Sequence, residues 1–482
     1  MKNDAPNILW ICSDQQRWNT LGCTGNPWVN TPHLNQLAAG GCLFENAFCQ
    51  NPLCTPSRAS FLTGRFPRTT RCYQNGQSLP ASEVPVTAIL ADAGYTCGLA
   101  GKLHLAACDP SVCPEEEPRI HDGYSEFNWS HHSFPGMRKS NQYRQWLEDK
   151  GETFRWTDHP ETEFVKVGMP DELHQTTWCA EKAIAFMNAH AEDDAPWLFS
   201  VNMFDPHSAF DPPQSRLDPY LEKLDDIPLP HFIPGELENK PIWQSIDHQG
   251  SHGGKSPLAY TRLNEREHRL IRAAYWAMCD LIDDQVGHML RALEESGQLE
   301  NTLVIYMSDH GEMLGDHGIY LKGPYLYEEL IHVPLIFSFP GKIIPQRSTA
   351  LVELMDLPQT LLDAAGIPAP ASMQGQTLWP LLTGAADSGL HKPDVYCEFY
   401  DAMSCHQNPS PRLSMIRDTH YKLVVDHCHS QGELYNLKTD IHEHQNLWED
   451  PAYNLIKSDL LLRLSNRMAS TVDPTPFRTA PW

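Results

Sequence analysis

Asn7-Ile8-Leu9-Trp10-Ile11-Cys12-Ser13-Asp14 is the stretch whose reading decides the fold. Its apolar side chains run on without polar alternation and stop at an aspartate, the pattern of a strand buried on both faces. Asp14 then stands at the carboxyl end of that strand. The pattern returns at residues 197–204, which run into Asp205-Pro206-His207, and at residues 303–307, which run into Ser308-Asp309-His310. Residues 333–337 form a further strand. Helix signals fall between these runs. Thr31-Pro32 with Leu34, Leu37 and Gly40 reads as cap, first-turn proline, apolar face and stop. Residues 86–93 repeat it before Gly94 and a short strand at 96–100, and residues 178–190 form another helix. The longest helix spans 265–295, where Leu270, Ala274, Met278, Leu281, Ile282, Met289 and Leu293 trace one face before Gly297. Such alternation predicts an α/β fold: a large central mixed, mostly parallel sheet flanked by helices, with its ligand site outside the carboxyl ends of the strands.

Residues 206–257, rich in Pro, Asp, His and Gly, read as an irregular loop insertion beside that site. After Leu382-Thr383-Gly384 the pattern changes to short strands at 395–400, 414–417 and 421–425, then a helix at about 452–469. The expected division is a catalytic α/β domain over 1–385 and a smaller C-terminal α+β domain over 386–482.

The 482 residues, 41% of them apolar, suffice for a packed core. A net charge of −25 and the lack of any Lys/Arg-rich stretch exclude nucleic acid and anionic membrane as partners. The apolar run at 7–12 is too short for a signal core or a membrane span, so the chain is expected to be cytoplasmic. The fourteen cysteines show no Cys-x-x-Cys pair and are expected to be reduced and mostly buried. His131, His132 and the histidines of 427–444 beside Cys428 match no recognised zinc spacing and are assigned to surface or loop.

The most informative segment is Cys54-Thr55-Pro56-Ser57-Arg58, followed by Ala59-Ser60-Phe61-Leu62-Thr63-Gly64-Arg65. It resembles the signature of the type I sulfatases of the alkaline phosphatase superfamily, whose cysteine is oxidised after translation to formylglycine. Gly94 to His104 resembles the family's second signature, with Cys97 where Ser or Thr is usual. Asp205-Pro206-His207 with Phe210, Ser308-Asp309-His310-Gly311-Glu312 with Gly315-Asp316-His317, and Lys322-Gly323 resemble its substrate, metal and second-lysine segments. Glu433 to Leu437 and Asn446-Leu447 resemble its C-terminal structural segment. Asp14-Gln15 and Asp309-His310 depart from the commoner Asp-Asp and Asp-Asn. With Asn75, they resemble the branch of choline sulfatase and the phosphonate monoester hydrolases.

The resemblance implies a sulfuric ester hydrolase with an alkaline phosphatase-like fold. A phosphonate monoester or phosphodiester hydrolase on the same scaffold is the alternative, and a non-catalytic binder of sulfated ligands is a remote one. It implies a divalent metal held by Asp14, Gln15, Asp309 and His310 beside the modified Cys54: calcium first, for so oxygen-rich a set, with manganese or magnesium as alternatives. Arg58 and Lys102 would hold the formylglycine, His104 would assist its turnover, His207 and Lys322 would contact sulfate, and Asn75 would bond a substrate oxygen. Asp316 and His317 are read as structural. The chemistry suits these groups: one hydroxyl of the hydrated aldehyde attacks sulfur, and the second lets the covalent sulfate ester collapse back to aldehyde. The partners implied are a small anionic sulfate ester and a formylglycine-installing enzyme. A homo-oligomer is expected by analogy alone. Substrate choice would fall to loops 108–165 and 206–257, with Trp129, Phe134 and Trp243.

Overall fold

The computed structural model describes residues 5–475, apart from Asn408, together with Ala480. Eight strands make the central sheet: β1 (Asn7–Ser13), β2 (Cys42–Phe48), β3 (Thr96–Gly101), β4 (Glu126–Trp129) and, after a separate hairpin of β5 (Thr157–His159) and β6 (Thr162–Val167), β7 (Trp197–Asn202), β8 (Thr302–Ser308), β9 (Leu335–Ser338) and β10 (Gln346–Glu353). Across the sheet the order is β10-β2-β9-β8-β1-β7-β3-β4. Every neighbouring pair is parallel except the two made by β9. The expected mixed, mostly parallel sheet is therefore present. Burial on both faces explains the continuous apolar runs: Ile8, Leu9 and Ile11 of β1 are fully enclosed, each worth roughly 1.5–3 kcal/mol.

Register aligns the strand ends. Cys12 stands opposite both Asn202 and Met307, and Gly101 stands opposite Asn202. Asp14, Lys102 and Asp309 consequently leave β1, β3 and β8 at the same carboxyl edge of the sheet, with β7 between β1 and β3. Gly101 is required there: its φ is +107°, and a Cβ would fall 1.9 Å from the Asn202 carbonyl oxygen.

The helix Pro32–Ala39 forms where expected, but Thr31 does not cap it by its side chain. The capping carboxylate comes from Asp283 on the long helix Glu265–Glu295, whose oxygens accept from His33 N at 3.1 Å and Leu34 N at 2.7 Å. Residues 206–257 are not an irregular loop throughout. They carry the helices Gln214–Leu221 and Ile242–Gln249. The first packs Leu217 and Tyr220 against Leu270, Ala274 and neighbours of the long helix, so tertiary burial sustains a helix whose own proline, Pro219, argues against it. The paired β2 and β10 went unread because their sequences mix polar and apolar residues without a clean period.

Beyond the helix Trp379–Leu382, strands β11 (Val395–Tyr400), β12 (Arg412–Arg417), β13 (Tyr421–Asp426) and β14 (Gln431–Asn436) form an antiparallel meander, and the helix Asn454–Ser470 packs on it. The expected boundary at 385/386 falls in the connection before β11. Val395, Cys397, Phe399, Leu413 and Met415 nevertheless join Trp10, Phe48, Phe61 and Leu335 in one apolar cluster, so the two sheets share a core. All fourteen cysteines are unpaired and eleven are buried. No helix among the described residues is long and apolar enough to cross a membrane.

Candidate active site

Asp14 and Asp309, set side by side by β1 and β8, form the floor of a buried polar cluster. Arg58 ties them together: its Nε donates to Asp309 Oδ2 at 2.9 Å, one Nη lies 3.5 Å from Asp14 Oδ2, and the other donates to the Lys102 carbonyl at 2.7 Å. The Lys102 ammonium also pairs with Asp14 Oδ2. All four side chains are fully enclosed, where an unpaired charge would cost several kcal/mol. Asp309 Oδ1 accepts the backbone N–H groups of Gln15 and His310, at 3.0 and 2.9 Å.

Cys54 begins the helix Cys54–Thr63, every residue of which is buried. The thiol therefore sits at the positive end of that helix. Around its Sγ lie Lys322 Nζ at 3.1 Å, His310 Nε2 at 3.2 Å and Asp14 Oδ1 at 3.7 Å. Burial pushes the Cys54 thiol up, but Lys102, Lys322 and His310 outweigh it and hold the thiol well below its usual range. The centre thus holds three cations, Arg58, Lys102 and Lys322, against two carboxylates. It is an anion-accepting pocket inside a chain of opposite overall sign.

Lys322 Nζ also reaches Gln15 Oε1 at 2.6 Å and His207 Nε2 at 2.9 Å. His207 Nδ1 faces the Ser208 carbonyl at 2.5 Å, which places its hydrogen there and leaves Nε2 to accept from Lys322. His104 Nε2 lies 3.2 Å from Thr55 Oγ1, while its Nδ1 is buried without a partner. Burial and a neighbouring lysine, Lys322 for His207 and Lys102 for His104, hold both imidazoles below the ordinary range and so neutral near pH 7. The eleven residues singled out in the sequence are linked in this way, with Asn75 at the rim. Its side-chain oxygen accepts from Thr55 N at 3.0 Å, leaving only its amide nitrogen free to meet a substrate.

Several neighbours lay outside the sequence reading. His131 and His132 both lie in the loop after β4, where His132 is exposed, as expected, and His131 is buried. His131 packs edge-on against His104 at 4.6 Å between ring centres, and His132 lies 5.3 Å from His207 and 4.6 Å from Phe204. Burial holds His131 well below the imidazole range. Nothing in their spacing could reveal this, because β4 carries them back across the sheet to the end of β3. Glu117 fixes the His104 backbone, accepting from His104 N, Leu105 N and Trp129 Nε1 at 2.8, 2.7 and 3.0 Å. Its place in the acidic run Glu115-Glu116-Glu117 hid it. Glu312 receives the Gln15 amide and Leu314 N, locking the Gln15 side chain. Asn75, His104, Trp129, His132, Phe134 and Phe204 line a cavity of about 550 Å³ over the cluster. Trp243 is elsewhere, buried with its Nε1 donating to the Pro409 carbonyl at 2.8 Å.

The donor set suits a divalent ion. Asp14, Cys54, Asp309 and His310 are all buried and each offers an atom within 4.8 Å of the others. His310 Nδ1 donates to the Gly311 carbonyl at 2.9 Å, which fixes the tautomer that leaves Nε2 free as a ligand. Two carboxylates, an amide oxygen and one imidazole match a hard ion with some tolerance for a transition metal.

Comparison with known proteins agrees with this geometry. A family profile described as Sulfatase matches residues 6–367, and one described as N-sulphoglucosamine sulphohydrolase, C-terminal, matches residues 315–470. An arylsulfatase of Clostridium perfringens is 31% identical over 396 residues, covering 78% of each chain. A choline-sulfatase of Rhizobium meliloti is 27% identical over 94% of this chain and 84% of its own length. The solved phosphonate monoester hydrolase of Silicibacter pomeroyi superposes with a TM-score of 0.81 at 25% identity, over 98% of this chain and 96% of that one.

Proposed function

Because this chain belongs to the sulfatase family and is a hydrolase of sulfuric esters, we propose that it cleaves sulfate monoesters with a formylglycine made from Cys54, over a divalent ion held by Asp14, Gln15, Asp309 and His310. The observation that carries the proposal is the ring of positive charge about Cys54 Sγ, with Lys322 at 3.1 Å and Lys102 paired to the adjoining Asp14. Such a ring favours an oxyanion at the nucleophile and the anionic oxygens of a bound sulfate ester. Formylglycine supplies a hydrated aldehyde, one hydroxyl of which takes the sulfuryl group while loss of the other's proton expels sulfate and restores the aldehyde. Calcium is the first choice of ion and, when bound, would polarise a sulfate oxygen, with manganese or magnesium as alternatives.

The chain's own residues do the rest. Arg58 and Lys102 pair with Asp14, and Arg58 with Asp309, which keeps both carboxylates in place. Lys322 contacts sulfate and stands 2.9 Å from His207 Nε2, so this hydrogen-bonded pair supplies the proton that the leaving oxygen takes up. His104, neutral and with its Nε2 3.2 Å from Thr55 Oγ1 beside the nucleophile, accepts the proton whose loss expels sulfate. The aromatic cavity with Asn75 at its rim receives the ester's organic part. The unpaired cysteines support a reducing, cytoplasmic setting, and the modification requires an enzyme that oxidises Cys54.

Peptide mass spectrometry across Cys54, on protein from a host able to install formylglycine, tests the reading. The expected result is a loss of about 18 Da, the thiol-to-aldehyde change, with aryl sulfate turnover abolished in Cys54→Ala. An unmodified thiol in an active enzyme would overturn the formylglycine assignment, and a higher kcat/KM for an aryl phosphonate monoester than for the aryl sulfate would overturn the substrate assignment.

A further inference from the structure

A second cluster of metal-binding side chains lies outside the active site. Glu236, from the segment between the two insertion helices, His317, from the loop after β8, and His444, from the segment after β14, bring one ligand atom each to within 4.8 Å of the others. Glu236 Oε1 is 3.3 Å from His317 Nδ1, and Glu236 Oε2 contacts His444 Nδ1. The first separation is close to what two ligands about 2.0–2.1 Å from one tetrahedral ion would show, roughly 3.3 Å.

Two atoms of the cluster are buried without a hydrogen-bond partner, His317 Nδ1 and Glu236 Oε1. The His317 side chain is 1% exposed and that of Glu236 2%. Buried polar atoms in folded proteins are nearly always satisfied, and a shared ion is one of the few physical accounts of a pair that is not. His317 stacks on Tyr327 at 3.8 Å between ring centres, which fixes its imidazole plane. His444 is 18% exposed, which leaves a route for an ion and a position for a water ligand.

We propose that Glu236, His317 and His444 form a second, structural metal site for a borderline ion of the zinc class. Two imidazoles and one carboxylate select such an ion over the hard cation of the active site. The three ligands come from segments far apart in sequence, so a bound ion clips the insertion and the C-terminal lobe to the loop that leads from His317 to Lys322. Zinc affinity here is therefore coupled to the stability of that junction.

The test is zinc binding by the full-length protein in excess calcium and magnesium, which occupy the oxygen-rich catalytic centre. Wild type is expected to retain about one zinc per chain, to show the ligand-field absorption of a tetrahedral ion when cobalt(II) is substituted, and to unfold at a higher temperature with zinc present. His444→Ala and Glu236→Gln are each expected to bind zinc at least ten-fold more weakly and to lose the zinc-dependent thermal shift, while aryl sulfate turnover shows that both remain folded. Zinc stoichiometry and thermal shift unchanged in both variants, or no zinc bound by wild type, would overturn the proposal.

Discussion

At the scale of single residues, the site is a balance of buried charges in which Arg58 is the hinge. It bridges both candidate metal carboxylates and the Lys102 carbonyl. A lysine cannot reproduce that planar fork. Arg58→Lys is accordingly expected to raise the divalent-ion concentration needed for half-maximal sulfate release by about 10–100-fold, the range typical when support for metal ligands is lost. Titrating the metal against initial rate checks this, and an unchanged midpoint would remove Arg58 from the metal-supporting role. Cys54, Arg58, Lys102 and Lys322 were legible in the sequence because they sit in compact motifs that resemble a known family's signatures. Glu117 and the His131-His132 pair were not, since their importance comes from what β4 and its following loop bring alongside His104.

At the scale of elements, pairings between distant segments hold the rim of the site. Asp247, in the helix Ile242–Gln249, accepts from Tyr325 Oη at 2.8 Å and faces His406 Nε2 at 3.0 Å. Burial alone would lower His406, but Asp247 and Cys405 raise it to about 9. The folded value lies above the unfolded one, so this pair stabilises the fold fully below pH ~6.5 and loses that contribution as pH rises through about 9. The loss is expected to be on the order of 3 kcal/mol at most. Urea midpoints taken from pH 6 to 10 should fall over this window in wild type and fall less in His406→Gln. Equal slopes in the two proteins would show that the pair does not titrate as a unit. The helix Pro32–Ala39 teaches the same lesson: its extent was readable, yet its cap is Asp283 of another helix.

At the scale of the whole molecule, the two sheets are one folding unit, because strands β11 and β12 complete an apolar cluster that also contains Trp10, Phe48 and Phe61. A chain cut after residue 385 would expose that surface, and it is expected to be insoluble or to lack a cooperative unfolding transition. A soluble, cooperatively folding 1–385 fragment would show the large sheet to be autonomous. The strand runs, the parallel sheet, the motif residues and the anion-accepting chemistry were determined by the sequence alone, since both-face burial writes a continuous apolar run and strand ends carry their polar residues with them. Only the tertiary structure decided which acid caps which helix, that residues 206–257 hold two helices, and that His131, His317 and His444 each join a cluster of metal-ligating side chains. The physical reason is common to all of these: each depends on contacts between segments far apart in the chain, whose partners leave no local period or spacing for a sequence to display.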